Sequence, residues 1–214
     1  GETFRLTRRL GRRIDRLSGG QPLQRFPPTL VFLSTLDSTV KAGAVTATLL
    51  DRLAPDGHEL VLFDVNRYSG IQELLAEDPG RLTRELESKA GRSYALSVVT
   101  NASEGSLQAV ERRVGTGSVQ PTVRPIGIDW PPNVFSLSHV ALPFPPDDPL
   151  YGYEVDRDAR HVQLGNIRVH GENGVLAVPQ WALTRQRSNP FHGYLLERVD
   201  AFLDAAGGAP PAGP

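Results

Sequence analysis

Two residues of this sequence stand where their side chains could carry out acid–base chemistry. Asp37 closely follows the apolar run 29–34, and His139 lies in an apolar stretch that includes Phe135 and Val140. A buried imidazole needs a hydrogen-bonding partner, and a carboxylate can hold it in the tautomer that takes a proton from a nucleophile. Two structural alternatives stay open, because Asp37 fits an ordinary helix N-terminal residue and His139 fits a buried histidine bonded to backbone.

The pattern around these residues predicts an α/β fold. Apolar runs typical of strands buried on both faces alternate with helical spacing along the chain. The predicted strands are 29–34, 59–65, 94–99 and 122–128, and the predicted helices between them are 42–53, 71–75, 80–90 and 106–114. Such alternation predicts a mostly parallel sheet with helices on both faces. Polar residues that follow the strands would then meet at the carboxyl edge, where open sheets bind ligands.

The two ends of the chain have sequence patterns that differ from the pattern of this core. Residues 3–17 repeat apolar residues among arginines at near-helical spacing, and we interpret the arginines as a solvated face without a binding role. The last helix is predicted over 193–203. The chain therefore divides into an amphipathic helix and linker (1–26), an α/β core (27–204) and a disordered tail (205–214).

Composition narrows the function further. Lys and Arg total 23 against 24 Asp and Glu, so the balance indicates neither a nucleic-acid partner nor attraction to an anionic membrane. The absence of cysteine excludes disulfides and thiol nucleophiles, and no apolar run is long enough for a membrane span. The histidines show no metal spacing, and Asp147-Asp148 is interpreted as a solvated turn. We therefore expect a small-molecule partner, without cofactor or metal.

Three segments resemble the α/β-hydrolase superfamily. PTLVFLSTLDSTV is similar to the strand, acid and following hydrophobe of that fold, and HELVLFDVN is similar to its next strand. NVFSLSHVALPFPPDDPLYG resembles the histidine segment of esterase or lipase-like members. The match extends over most of residues 27–203, although the stretch between acid and histidine is longer than in the simplest members.

The resemblance implies a role for each residue. Asp37 would be the triad acid and His139 the triad base, in a serine hydrolase that acts on carboxylic esters. The family's serine stands in a G-x-S-x-G elbow that precedes the acid, and this sequence contains no such motif. We therefore expect this chain to be the C-terminal portion of the fold, with an incomplete active site that the N-terminal half would complete.

Several alternatives remain at this stage. Asn101-Ala102-Ser103-Glu104-Gly105 lies where a strand is predicted to meet a helix, so Ser103 is a rival nucleophile, although Ser103 or Ser106 could simply cap that helix. A peptidase of the same fold, or a non-catalytic hydrolase-like binding module, would also fit the two specific segments.

Overall fold

The structure is a computed structural model that describes residues 2–37, 39–69, 78, 80–137, 140–154 and 187–207. Its centre is one five-stranded sheet in which every strand pairs with its neighbours in sequence. Within the described residues, helices pack on both faces of this sheet, and none of them is long and apolar enough to cross a bilayer. The α/β prediction is therefore confirmed at this level.

The first three strands form the parallel part of the sheet. They are β1 (Leu30–Ser34), β2 (His58–Phe63) and β3 (Tyr94–Asn101), and β2 pairs in parallel with both of the others. Helix α2 (Ala42–Thr48), continued by a 3-10 turn, joins β1 to β2, and α3 (Gly80–Ser88) precedes β3. Both helices pack on the same face of the sheet, against alternate buried residues of β2 and β3 such as Leu60, Leu62 and Leu96.

The rest of the sheet is antiparallel, so the predicted mostly parallel sheet is wrong. Strands β4 (Gln108–Val114) and β5 (Pro121–Asp129) follow β3 through short turns, and both of their pairings are antiparallel. A parallel return would need a crossover of a dozen or more residues, which these turns are too short to provide. The sheet is therefore mixed.

The predicted helix over 106–114 is also wrong, because the segment forms β4. Val110 and Val114 are four residues apart, a spacing that places two side chains on one face of either a helix or a strand. The turn before β4 decides between them, since Gly105 adopts a φ of +82° and lets the chain reverse directly into the hairpin. The segment 122–128 is a strand, as predicted.

A charged cluster links the antiparallel part to the last helix, α4 (His192–Gly207). Glu59 accepts hydrogen bonds from Nη1 and Nη2 of Arg113 at 3.1 and 2.8 Å, and it also pairs with Arg198 of α4. Glu111 of β4, whose side chain is fully buried, accepts a 2.5 Å hydrogen bond from Nε of Arg124 in β5. These ion pairs hold α4 on the face of the sheet opposite α2 and α3.

The helices at the two ends differ slightly from the predicted ranges. Helix α1 (Glu2–Ser18) confirms the helix predicted over 3–17, and it ends at glycines with φ of +52° and +85°. Helix α4 extends to Gly207, so 205–207 is helical although a disordered tail was predicted from residue 205. The predicted helix 71–75 and residues 208–214 lie outside the described residues.

Candidate functional site

The carboxyl ends of the three parallel strands lie at one edge of the sheet. Asp37 follows β1, Asp64 directly follows β2, and Asn101 is the last residue of β3. The main chain continues this alignment beyond the strands, because the amide of Thr35 donates to the carbonyl of Phe63 at 2.9 Å. The structure therefore brings polar residues from three strands to the edge where open sheets bind ligands.

Asp37 is held by the backbone of its own turn. Its Oδ1 accepts hydrogen bonds from the amides of Thr39 and Val40, both at 2.8 Å, and the residue is partly exposed. Helix α2 begins later, at Ala42, so these bonds close a turn ahead of the helix and not the helix itself. The turn fixes one carboxylate oxygen and leaves the side chain at the rim of the sheet.

The predicted base, His139, lies outside the described residues together with Ser138. The residues on either side, Leu137 and Val140, are described, and both are buried in the core that α4 covers. The structure therefore places the chain on both sides of residues 138–139.

Asn66 attaches the upstream side of this segment to the end of β2. Its backbone amide donates to the carbonyl of Phe135 at 2.7 Å. Its Nδ2 donates to the carbonyls of Pro131 and Val134, each at 3.0 Å. Asn66 is buried, so these three bonds form away from water and define one path for the chain toward residue 138.

Asn189 attaches the downstream side. Its Nδ2 donates to the carbonyl of Val140 at 2.8 Å, and its backbone amide donates to the carbonyl of Phe144 at 2.9 Å. Its Oδ1 accepts from the amide of Phe191, just ahead of α4, at 2.9 Å. Two buried asparagines from distant parts of the chain thus hold both flanks of residues 138–139.

A further polar network supports Asn66 from the end of β3. Nδ2 of Asn101 donates to Oδ1 of Asn66 at 3.0 Å, and Oδ1 of Asn101 accepts from the amide of Arg67 at 2.8 Å. Oδ2 of Asp64 accepts from Arg67 Nη2 at 2.8 Å and from the Thr100 hydroxyl at 3.0 Å. The ends of β2 and β3 are therefore joined by buried side chains as well as by the sheet.

Asp64 and Asn66 are not among the site residues predicted from sequence. The predicted strand 59–65 ran past the end of β2 at Phe63, and this placed Asp64 inside a strand. Asp37 is a candidate because it is a polar residue just beyond a buried strand. Asp64 and Asn66 meet the same criterion once the strand is known to end at Phe63. Asn189 lies in a short segment ahead of α4 and carries no such local signal.

A polar cavity of 580 Å³ lies beside this network, on the α3 side of the sheet. Two carboxylate oxygens at its wall, Asp64 Oδ1 and Glu87 Oε1, are buried and have no hydrogen-bond partner among the described residues. Burial raises the pKa of Glu87, the nearby Arg112 lowers it, and the charge of Asp64 raises it again, with a net increase above the ordinary value. The cavity wall therefore offers hydrogen-bond acceptors to a small polar molecule.

Ser103 does not stand where a nucleophile elbow requires. It is an exposed residue of the turn between β3 and β4, and its carbonyl accepts a 3.2 Å hydrogen bond from the amide of Ser106. The elbow places its serine between a strand and a helix, whereas this turn joins two antiparallel strands. The alternative of a helix cap is wrong for the same reason, and Ser106 Oγ instead accepts from the amide of Gln108.

Metal ligation has no support in the described part of the chain, where no group of three or more His, Cys, Asp or Glu side chains could hold an ion. The adjacent acids form a turn, as predicted, because Oδ1 of Asp148 accepts from the amides of Leu150 and Tyr151 at 3.0 and 2.7 Å.

The protein thus has an α/β fold with a mixed sheet, and polar residues lie at the carboxyl ends of its parallel strands. Comparison with known protein families, curated proteins and solved structures gives no match.

Proposed function

We propose that this chain is part of a serine hydrolase of the α/β-hydrolase type that acts on carboxylic esters. It supplies Asp37 as the acid and His139 as the base, and the nucleophilic serine comes from residues outside this sequence. The observation that carries the proposal is the attachment by Asn66, which joins the segment leading to His139 to the end of β2. Strand β2 is the direct neighbour of β1, the strand that Asp37 follows.

The chemistry follows from the properties of the two side chains. His139 removes the proton from the serine hydroxyl as it attacks the ester carbonyl, and then delivers that proton to the leaving alcohol. Such general acid–base catalysis contributes ~10²–10⁴ in rate. Asp37 orients the imidazole and stabilises the imidazolium, and one of its oxygens is already fixed by the turn amides.

The free side of β1 supports the remaining part of the proposal. Among the described residues β1 pairs only with β2, although its sequence, LVFLS, is as apolar as that of an interior strand. An apolar edge strand is a surface that another strand normally covers. We propose that the part of the fold that carries the serine elbow pairs there.

The test is ester hydrolysis by the complete translated protein that contains this chain. Asp37→Asn and His139→Ala should each lower kcat for a p-nitrophenyl ester, by about 10⁴ for the acid. Asp200→Asn and His192→Ala make the same chemical changes on α4 and should leave kcat unchanged. Retained hydrolysis in His139→Ala would refute the proposal.

Assays of the same protein with two substrates distinguish an esterase from a peptidase. An acyl ester and the amide of the same acyl group differ only in the leaving group, so their kcat/KM values report which bond the site is built to cleave. We expect the ester to be preferred, and preference for the amide would favour the peptidase. If neither is cleaved although a serine elbow is present, the binding-module alternative is favoured.

A further inference from the structure

A groove between α1 and α2 has mostly apolar walls. It has a volume of 790 Å³, and Leu10, Ile14 and Leu17 line it from one face of α1, opposite Val45 and Leu49. Ile14 is buried, whereas Leu10 and Leu17 keep 58% and 63% of their surface exposed. Of these three apolar side chains of α1, one is therefore buried against the protein and two stay open to solvent.

The same helix concentrates positive charge. It contains six arginines and two acids, Glu2 and Asp15, and Arg25 follows it, although the whole chain carries a net charge of −1. Asp15 pairs at 3.2 Å with Arg52, which lies outside the helix. Arg13 and Arg25 lie at the groove itself. The net charge of the chain thus conceals one strongly cationic segment.

We propose that this surface, the α1 groove with its flanking arginines, docks the protein on an anionic lipid bilayer. An amphipathic helix with leucines on one side and arginines on the other inserts its apolar face among acyl chains while its cations contact the headgroups. Each arginine near an anionic surface contributes about 1 kcal/mol, and its stem can lie along apolar surface. The arginines of α1, which the sequence alone suggests to be a solvated face, would then contact anionic lipid headgroups.

Two other partners fit these observations less well. A nucleic acid would contact the arginines but would not use an aliphatic groove, since unpaired bases stack on aromatic rings and Phe26 is the one aromatic residue at this surface in the described part of the chain. A second copy of the chain would place two rows of arginines against each other at close range, which costs energy.

The experiment is co-sedimentation of the full chain with lipid vesicles. We expect binding to vesicles of phosphatidylcholine and phosphatidylglycerol in equal parts, little binding to phosphatidylcholine alone, and weakening as salt is raised. Equal affinity for the two vesicles, or binding to neither, would overturn the proposal. The readout does not involve hydrolysis, so it is independent of the proposed enzyme activity.

Paired variants test the apolar contribution. Leu10→Gln with Leu17→Gln should weaken vesicle binding by ~10-fold or more, because both side chains would otherwise be buried in lipid. Leu196→Gln with Leu203→Gln is the matched control, since these leucines of α4 are 53% and 60% exposed and have the same spacing. All four side chains are exposed, so the variants should keep the thermal unfolding transition of the parent. Equal loss in the control would overturn the proposal.

The charge contribution is tested in the same way. Arg9→Gln with Arg13→Gln should weaken binding to the anionic vesicle by about 30-fold. Arg81→Gln with Arg187→Gln removes the same charge from exposed arginines elsewhere and should have little effect. Tighter binding of the parent to single-stranded RNA than to vesicles, or a dimer in solution that only the Leu10 and Leu17 variant dissociates, would assign the surface to another partner.

Discussion

The parallel and antiparallel parts of the sheet are stabilised in different ways. In β2 and β3 nearly every side chain is buried, and the two faces are covered by aliphatic and aromatic residues. In β4 and β5 the buried positions include Glu111, the outer strand is largely exposed, and Arg124 of the hairpin pairs both with Glu111 and with Glu197 of α4. Apolar burial therefore stabilises the parallel part of the sheet, which positions the candidate site, whereas ion pairs stabilise the antiparallel part.

The largest expected effect is in the parallel part. Leu62→Ala should lower the free energy of unfolding by about 2–5 kcal/mol, because Leu62 is fully buried and its removal leaves a cavity. Val123→Ala in β5, where the side chain is 61% exposed, should change it by less than about 0.5 kcal/mol. Urea denaturation measures both, and similar losses would break the comparison.

The second effect is in the antiparallel part. Glu111→Gln should cost about 1.5–3 kcal/mol in urea denaturation, because a buried carboxylate loses charge-assisted bonds to Ser97 and Arg124. Glu197→Gln is the control, since Glu197 pairs with the same arginine from an exposed position and should contribute less than about 1 kcal/mol. If the two variants cost the same, burial does not determine the strength of these pairs.

Glu111 also predicts a pH dependence for the antiparallel part. Burial raises its pKa, but the Ser97 hydroxyl and the charges of Arg124 and Arg198 together hold the pKa below its ordinary value of 4.5. A carboxyl with a lowered folded pKa stabilises the protein above pH 4.5, and this contribution is lost as the pH falls through the folded pKa. The Gln variant should show a smaller loss of stability in acid.

A smaller and more local effect is expected at the candidate site. Asn66→Ala should cost about 1–3 kcal/mol, because it leaves the carbonyls of Pro131 and Val134 without their donor. The amide of Val134 should then exchange its hydrogen faster, since the turn it closes is no longer held by β2. Asn133→Ala in the same segment serves as control. If the hydrogen exchange of the Val134 amide is unchanged in Asn66→Ala, Asn66 does not hold this segment in place. The proposed function would then lose the attachment on which it rests.

The smallest expected effect concerns His58, at the start of β2. Burial lowers its pKa from 6.5, and Asp56 and the carbonyl of Ala54 offset this only in part. The unfolded chain therefore binds a proton at higher pH than the folded chain, so stability should fall as the pH drops below 6.5 and level off below the folded pKa. Thermal unfolding of His58→Phe between pH 7 and 5 should show a flatter profile.

The parts of the fold that sequence predicts correctly are those with one consistent signal. Strands β1, β2 and β3 are short apolar runs bounded by turn residues, and α1 repeats at helical spacing over 17 residues. The segment that forms β4 fits both periods, since its valines are four residues apart, and the local turn at Gly105 carries the information that decides for a strand.

The candidate site is predictable only in part, for a physical reason. Asp37 comes soon after β1, which ends at Ser34, so local sequence places it at the carboxyl edge. The attachment of the His139 segment depends on Asn66 and Asn189, which are separated along the chain by the antiparallel strands and the residues beyond them. No local pattern reports that two such side chains bond to the same loop, since the fold alone brings them together.

The order of the strands also has a consequence for how the chain folds. Each strand pairs with the strand just before it, so the sheet can grow in the order in which the chain is synthesised, with little loop-closure entropy at each step. The contacts of α4 with the sheet span longer separations, and the pair between Glu59 and Arg198 joins residues 139 positions apart. We therefore expect α4 to pack against the sheet late and slowly during folding. Its ion pairs would then stabilise a sheet that has already formed.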